Sequence, residues 1–265
     1  TYRFDINIEA DLIEEVARVT GFEKIPETVP VARLQTSLEE EKTLPVSRLR
    51  SCLVDRDYQE VITYSFIDRA MHEQLSPSSR AVELENPIAS DMSVMRASLW
   101  PGLIKTMQYN VNRQMTDLKL FESGRTFMAK GKTLLQHRYV AGLLTGSADA
   151  RSWADNRREV DFFDLKGDVQ ALIALTGRDD DFIFSPLKHP VLQPGQSALI
   201  KEGKKVTGIL GRLHPAIESS LELDQAVYLY EIRLDSLLRS RTPVFHEFSR
   251  FPAMQRDIAL VLAAK

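Results

Sequence analysis

The chain has few cysteines, no long apolar run and no excess of positive charge. Cys52 is the only cysteine among 265 residues, so an internal disulfide is excluded. No apolar run approaches the roughly 20 residues that a membrane-spanning helix needs. The formal charge of −3 excludes a strong global field that would draw the chain onto nucleic acid or anionic lipid. We therefore expect a globular protein in a reducing, cytoplasmic setting.

The common catalytic motifs are also lacking. "GKT" at 131–133 lacks the glycine that a P-loop places five residues earlier, where Thr126 stands. "GILG" at 208–211 has no third glycine, which argues against a dinucleotide fingerprint. No two of the five histidines are spaced as zinc ligands on one helix. Arg96 and Arg125 could bind phosphate or carboxylate, but a structural ion pair is the favoured interpretation for each.

Apolar periodicity predicts strands in hairpins and runs, with helices between them. "TYRFDINI" alternates like a half-buried strand, and "EADLIEEVARVT" is spaced like a helix that Gly21 ends. Helices are also predicted for "VSRLRSCLV", "WPGLIKTMQYNVNRQM" and "DFFDLKGDVQALIALTG", and strands for "EVITYSF" and "RYVAGLLTG". "LKLFESGRTFM" is interpreted as strand, turn, strand, and "SALIKEGKKVTGILGRL" as a hairpin. This order predicts an α+β fold with a mainly antiparallel sheet.

The opening "RFDINIEADLIEEV" holds five carboxylates, and two interpretations stay open. In the first, Glu14 and Glu15 belong to a solvated helix face, where Arg18 pairs with one of them. In the second, Asp5 reaches the acidic face from the preceding strand and meets Asp11. Oxygen ligands from two elements suit a hard cation, most plausibly Mg²⁺.

Nine segments occur in one order along nearly the whole chain: "RFDINIEADLIEEVARVTGFEKIP", "VITYSF", "LENPIASDMSVMRASLWPGLI", "LFESGRTF", "FFDLKGDVQALI", "HPVLQPGQSALI", "GILGRLHPAI", "YLYEIRLDSLL" and "FPAMQRDIALVL". Together they resemble the beta subunit of bacterial phenylalanine–tRNA ligases. Because the chain has no initial Met and starts inside a strand-like pattern, we interpret it as a fragment from the C-terminal half of such a subunit.

The resemblance implies three parts. Residues 1–38 resemble the tail of a helical, winged-helix-like domain with a linker. Residues 39–243 resemble a class II aminoacyl-tRNA synthetase core, an antiparallel sheet flanked by helices. Within it, "VSRLRSCLVDRDYQEVITYSF" resembles the class II dimer-interface motif. Residues 244–265 resemble a linker and the first strand of a truncated, ferredoxin-like anticodon-binding domain.

The resemblance also implies a function without catalytic residues in this chain. A working class II site has a glycine-rich late strand, whereas "YLYEIRLDSLL" has no glycine. The expected role is a non-catalytic module that binds the catalytic alpha subunit in an alpha2-beta2 assembly and positions tRNA-binding domains. The whole assembly would attach phenylalanine to its tRNA with ATP, and the full-length chain would contact the tRNA. Two alternatives are a stand-alone class II-like enzyme acting on a small amino acid or nucleotide, and a nucleic-acid binder.

Two further expectations concern particular residues. The resemblance assigns Mg²⁺ to Asp5, Asp11, Glu14 and Glu15, and Glu9 falls outside that pattern. An apolar patch for the alpha subunit is expected on the Val46–Val54 helix and around "MRASLWPGLI". Replacement of Trp100 by alanine is accordingly expected to weaken folding or assembly.

Overall fold

A computed structural model describes residues 2–33, 42–131, 133–148, 158–245, 247, 250–252, 254–259 and 261. The chain divides into two compact units, Thr1–Glu39 and Glu40–Lys265. No helix in these described ranges is long and apolar enough to cross a membrane.

The first unit contains helix α1, Glu9–Thr20, with the bounds that the periodicity predicts. The helix ends where Gly21 takes a φ of 101° and its N–H bonds to the Ala17 carbonyl at 2.8 Å. Residues 2–8 do not form the predicted strand, and Tyr2 and Phe4 are 96% and 86% exposed. The reason is that no described strand of this unit supplies the backbone hydrogen bonds that a strand requires.

The second unit contains ten described strands and six described helices. The strands are β1 Gln59–Glu60, β2 Phe66–Ile67, β3 Val82–Glu83, β4 Val94–Met95, β5 Leu118–Lys130, β6 Thr133–Thr145, β7 Phe182–Pro186, β8 Leu192–Glu202, β9 Lys205–Leu213 and β10 Val227–Arg233. The helices are α2 Val46–Val54, α3 Arg69–Leu75, α4 Trp100–Val111, α5 Phe162–Ala174, α6 Pro215–Ser220 and α7 Leu234–Leu237.

Seven strands form the main sheet in the order β1-β5-β6-β10-β9-β8-β7, and β2, β4 and β3 form a small second sheet. The main sheet is antiparallel except for the parallel pair β1 and β5. A parallel pair needs a long crossover, and here the small sheet and α4 lie in that connection. The predicted α+β class with a mainly antiparallel sheet is therefore confirmed.

Two strand predictions differ from the structure. "LKLFESGRTFM" is one continuous strand, because Gly124 lies opposite Tyr139 in the β5–β6 ladder and the turn comes at Gly131. A Cβ at Gly124 would lie 2.5 Å from Nη2 of Arg96, so glycine is required by close approach and not by a turn. "EVITYSF" is divided between β1 and β2, with residues 61–65 outside the ladder.

The sheet buries a core on each face. On one side, named here the α5 face, α2 and α5 pack on Phe121, Val140 and Tyr230. On the other, the α4 face, the side chains of α4 pack on a layer of strand residues that includes Ala141 and Leu229. Alternation along each strand assigns its residues to one face or the other, so the polar residues of the α4 face can be identified from the register.

The predicted strand in "FSRFPAMQRDIALVL" is not seen at residues 247, 250–252, 254–259 and 261. Several of its other positions, such as Ala253, lie outside the described residues.

Candidate functional site

The carboxylates of the opening segment meet basic side chains. Nη2 of Arg3 lies 2.6 Å from Oδ2 of Asp5 and 3.0 Å from Oε1 of Glu15. Arg18 also bonds Glu15, at 2.7 Å, as one of the two sequence interpretations predicts. The hydrogen bond from Arg3 lowers the pKa of Asp5 to about 2. The structure therefore gathers Asp5 and Glu15 around one guanidinium.

Asp11 and Glu14, the other two predicted ligands, have different surroundings. Oδ2 of Asp11 accepts the backbone N–H groups of Asn7 and Ile8 at 2.8 and 2.9 Å, and these bonds lower its pKa. Asp11 thus caps the start of α1, and Glu14 is exposed on the same helix. Within the described part of the chain, no three His, Cys, Asp or Glu side chains are grouped closely enough to hold a metal ion. The donor chemistry suits a hard cation, but a divalent ion between Asp5 and Glu15 would replace the guanidinium of Arg3.

The α4 face carries a buried ion pair near the β1 edge. Nη1 of Arg96 lies 2.7 Å from Oε1 of Glu122, and both side chains are almost fully buried. Thr63 donates its hydroxyl to the other carboxylate oxygen at 2.7 Å, and Nε of Arg96 donates to the Arg125 carbonyl at 3.0 Å. A buried pair with its remaining donors and acceptors satisfied is structural, which is the favoured sequence interpretation for Arg96. Arg125 is exposed on the α5 face.

The middle of the α4 face is covered by the segment that leads into α4. Oε1 of Glu231 accepts the Leu99 N–H at 2.8 Å and the Ser98 hydroxyl at 3.1 Å. Nε1 of Trp100 donates to the Tyr230 carbonyl at 3.2 Å. Burial raises the pKa of Glu231 to about 7. Side chains of β10 and of the segment before α4 thus fill the middle of the α4 face.

A third feature is the edge of the main sheet at β1. After β1, the chain continues beside β5, where the Val61 N–H bonds the Phe121 carbonyl at 2.8 Å. Ile62 and Tyr64 point outward and are 93% and 68% exposed, while Val61 and Thr63 are partly buried between them. We name residues 59–65 the edge segment. It presents two large apolar side chains at the margin of a sheet.

The expected apolar patch is only partly seen, since Val54 of α2 is 55% exposed but other residues of the two segments are buried. Leu49 and Leu53 of α2 lie in the core, and Trp100 is 1% exposed. Ile62 and Tyr64 were missed as exposed residues, because the strand pattern of "EVITYSF" does not say which side of the alternation faces solvent. The signal that could have found them is their position in the segment that resembles a dimer-interface motif.

Comparisons with known proteins identify the family. A family model described as the phenylalanyl tRNA synthetase beta chain CLM domain matches residues 25–234, and a tRNA synthetase B5 domain model matches residues 1–22. The phenylalanine–tRNA ligase beta subunit of Pseudomonas putida is 47% identical over 98% of this chain. That of Nitrosococcus oceani is 45% identical over 100% of it. In both cases the chain spans 33% of the relative's length.

Solved structures agree on the fold. A pyrrolysyl-tRNA synthetase from Desulfitobacterium hafniense superposes with a TM-score of 0.55 at 15% identity, covering 73% of this chain and 64% of the other. The likeness confirms the class II synthetase fold of the main sheet and its helices. With a family model that matches most of the chain, the conclusion is direct: this chain belongs to the phenylalanyl-tRNA synthetase beta chain family.

Proposed function

We propose that the chain is a non-catalytic, class II-like module of a phenylalanine–tRNA ligase beta subunit, and that it binds the catalytic alpha subunit. The alpha2-beta2 assembly would attach phenylalanine to its tRNA at the expense of ATP, in the cytoplasm. In this proposal the full-length chain contacts tRNA, and this module positions the domains that do so. The relatives' names, which are those of a ligase beta subunit, support the assignment.

The observation that carries the proposal is the edge segment. An exposed sheet margin bearing Ile62 and Tyr64 is a poor surface to leave in water, and protein interfaces are enriched in such aromatic and apolar residues. The segment follows α2 directly, in the part of the sequence that resembles the class II dimer-interface motif. We therefore assign the alpha-subunit contact to residues 59–65.

A second observation separates this role from that of a stand-alone class II-like enzyme. On the α4 face, Glu231 fixes the backbone of Leu99, and the Arg96–Glu122 pair closes the neighbouring part of the sheet. These side chains take space on the face that a class II enzyme keeps for its substrates. This supports a module whose sheet is used for assembly rather than for amino-acid activation.

Phenylalanine-dependent pyrophosphate exchange tests the proposal. The full-length beta subunit, the alpha subunit and their mixture would be measured separately. We expect exchange in the mixture and none from the beta subunit by itself. Exchange by the beta subunit without its partner would overturn the proposal in favour of the stand-alone enzyme.

We further propose the domain division 1–38, 39–243 and 244–265. The two compact units, which divide between Glu39 and Glu40, support the first boundary. The family models divide the chain earlier, because one ends at residue 22 and the other begins at residue 25. The ferredoxin-like assignment of the last part rests on the sequence resemblance.

We also propose that Asp5, Asp11, Glu14 and Glu15 hold a structural Mg²⁺. One observation supports it: Asp5 and Glu15 already share one cation, Arg3. Bound Mg²⁺ would offset the repulsion among the carboxylates and tie residues 5–8 to α1. Arg3 would then turn outward to solvent, where it is already 40% exposed.

Magnesium-dependent stability tests this site in the full-length protein. At a Mg²⁺ concentration about a hundred times Kd, binding should add about 2.7 kcal/mol to the unfolding free energy of the domain that holds it. Asp11→Asn and Glu14→Gln should both abolish the Mg²⁺-dependent part, although only Asp11→Asn also loses the helix cap. Glu9→Gln is the matched control and should respond like the native protein. Equal Mg²⁺ responses in all four proteins would contradict the Mg²⁺ site and favour the interpretation of this segment as a solvated helix face.

A further inference from the structure

We propose that the α4 face contains a phosphate-binding site built on Arg233 and His137. The site lies at the end of β10, beyond the part of the face that Glu231 and Leu99 occupy. It includes no residue of the edge segment, and the proposed function makes no use of it.

The register brings the two residues together from different strands. Arg233 lies opposite Tyr139 in the β10–β6 ladder, and His137 precedes Tyr139 by two residues on the same face. The two side chains meet diagonally, with Nη2 of Arg233 3.1 Å from Nδ1 of His137. Both side chains are partly exposed, so solvent and small ligands can reach them.

The contact determines which groups remain available. An arginine has only donors, so Nδ1 of His137 must accept the bond and the imidazole proton must lie on Nε2. Burial, and then the charge of Arg233, lowers the pKa of His137, which favours this neutral form at pH 7. Arg233 and His137 therefore present N–H donors, and no acceptor, to anything that approaches them.

The positive charge of Arg233 has no carboxylate of its own among the described residues. Nε of Arg233 is buried and has no hydrogen-bond partner. Asp235 is engaged by Arg138 at 2.8 Å. Glu231 is bonded to Leu99 and Ser98, and its pKa of about 7 leaves it only partly ionised. A partly buried guanidinium in this situation favours an anionic ligand.

Two neighbours extend the same pattern. Thr126 lies directly opposite His137 in the β5–β6 ladder, is fully buried, and its Oγ1 has no hydrogen-bond partner. The charge of Asp235 raises the pKa of His137 and that of Lys205 lowers it, and both effects are smaller than that of Arg233. The donors that a ligand can reach thus come from two adjacent strands, β6 and β10, and the Thr126 hydroxyl is buried beside them on β5. Such a set matches the several oxygens of a tetrahedral phosphate better than the two oxygens of a planar carboxylate.

Calorimetric titration with inorganic phosphate tests the site in the full-length protein and its native assembly. The native protein should bind one phosphate per chain at Arg233 in addition to any sites elsewhere. Arg233→Gln should weaken that site at least about tenfold, since a charge-assisted bond is lost. The matched control is Arg125→Gln, which removes a positive charge from an exposed position on the α5 face and should leave phosphate binding unchanged.

A second variant and competition measurements complete the test. Arg233→Lys keeps the charge and should retain part of the affinity if Arg233→Gln does not fold, as judged by circular dichroism. Competition by AMP would identify a mononucleotide as the source of the phosphate group, and competition by tRNA would identify a nucleic acid. If neither competes, the ligand is the free phosphate ion. Unchanged phosphate binding in Arg233→Gln, or an equal loss in Arg125→Gln, would overturn the proposal.

Discussion

At the scale of single residues, the structure shows that glycine is required at different positions for different reasons. Gly21 permits a positive φ at the end of α1, whereas Gly124 gives Arg96 room inside a continuous strand. From the sequence, each glycine is interpreted as the end of a helix or strand, and only Gly21 ends one. The requirement at Gly124 comes from Arg96, a residue 28 positions earlier, so no local pattern could reveal it.

Trp100 is the residue whose replacement separates core packing from assembly. Its side chain is 1% exposed, and its indole N–H bonds the Tyr230 carbonyl at 3.2 Å. Trp100→Ala should lower the unfolding free energy by about 3–5 kcal/mol, the usual cost of such a cavity. Trp100→Phe should cost less, because most of the volume stays and one hydrogen bond is lost.

Urea unfolding measures these changes, and gel filtration with the alpha subunit measures assembly below the unfolding transition. One result would contradict the core position of this side chain: a Trp100→Ala variant that unfolds like the native protein but fails to assemble.

At the scale of elements, predictability followed the strength of local signals. The bounds of α1 and the start of α4 were readable because Gly21 ends the first and Pro101 lies in the first turn of the second. The end of α4, at Val111, comes four residues before the predicted end. Residues 2–8 have a strand pattern but no partner strand among the described residues of their unit, so the pattern alone gave a wrong prediction. The contact between His137 and Arg233 spans 96 positions and depends on the register of two strands, which the sequence does not specify.

The link between α4 and β10 should make stability depend on pH. Burial raises the pKa of Glu231 from 4.5 to about 7, so its stabilising contribution is complete below pH 4.5 and is lost as pH rises through 7. The shift corresponds to a loss on the order of 3 kcal/mol between these limits. Glu231→Gln keeps an acceptor for the Leu99 N–H and cannot ionise, so its stability should fall less over this range.

The measurement is urea unfolding at pH 5, 6, 7 and 8. The matched control is Glu85→Gln, which alters an exposed carboxylate and should follow the native curve. If Glu231→Gln loses as much stability as the native protein between pH 5 and 8, the buried carboxyl is not the source of the dependence.

At the scale of the whole molecule, the class II fold is kept, and side chains cover the middle of its α4 face. The family resemblance in the sequence predicted this fold, and the comparisons confirmed it. The sequence did not reveal which residues cover the sheet, because Glu231 and Leu99 are brought together only by the fold. The edge segment is one of the exposed apolar surfaces of this fold, and it is the one that we propose for the alpha subunit.

The central claim, that this module binds the alpha subunit through the edge segment, is tested most directly by analytical ultracentrifugation of the reconstituted complex. Ile62→Asp combined with Tyr64→Asp places two charges on the exposed margin without touching the core. The matched control is Ile183→Asp, at an exposed position of 58% on β7, the opposite edge of the sheet. The account predicts that the double variant keeps the native thermal midpoint but no longer forms the alpha2-beta2 species, while the control forms it normally. Full assembly of the double variant would contradict the account.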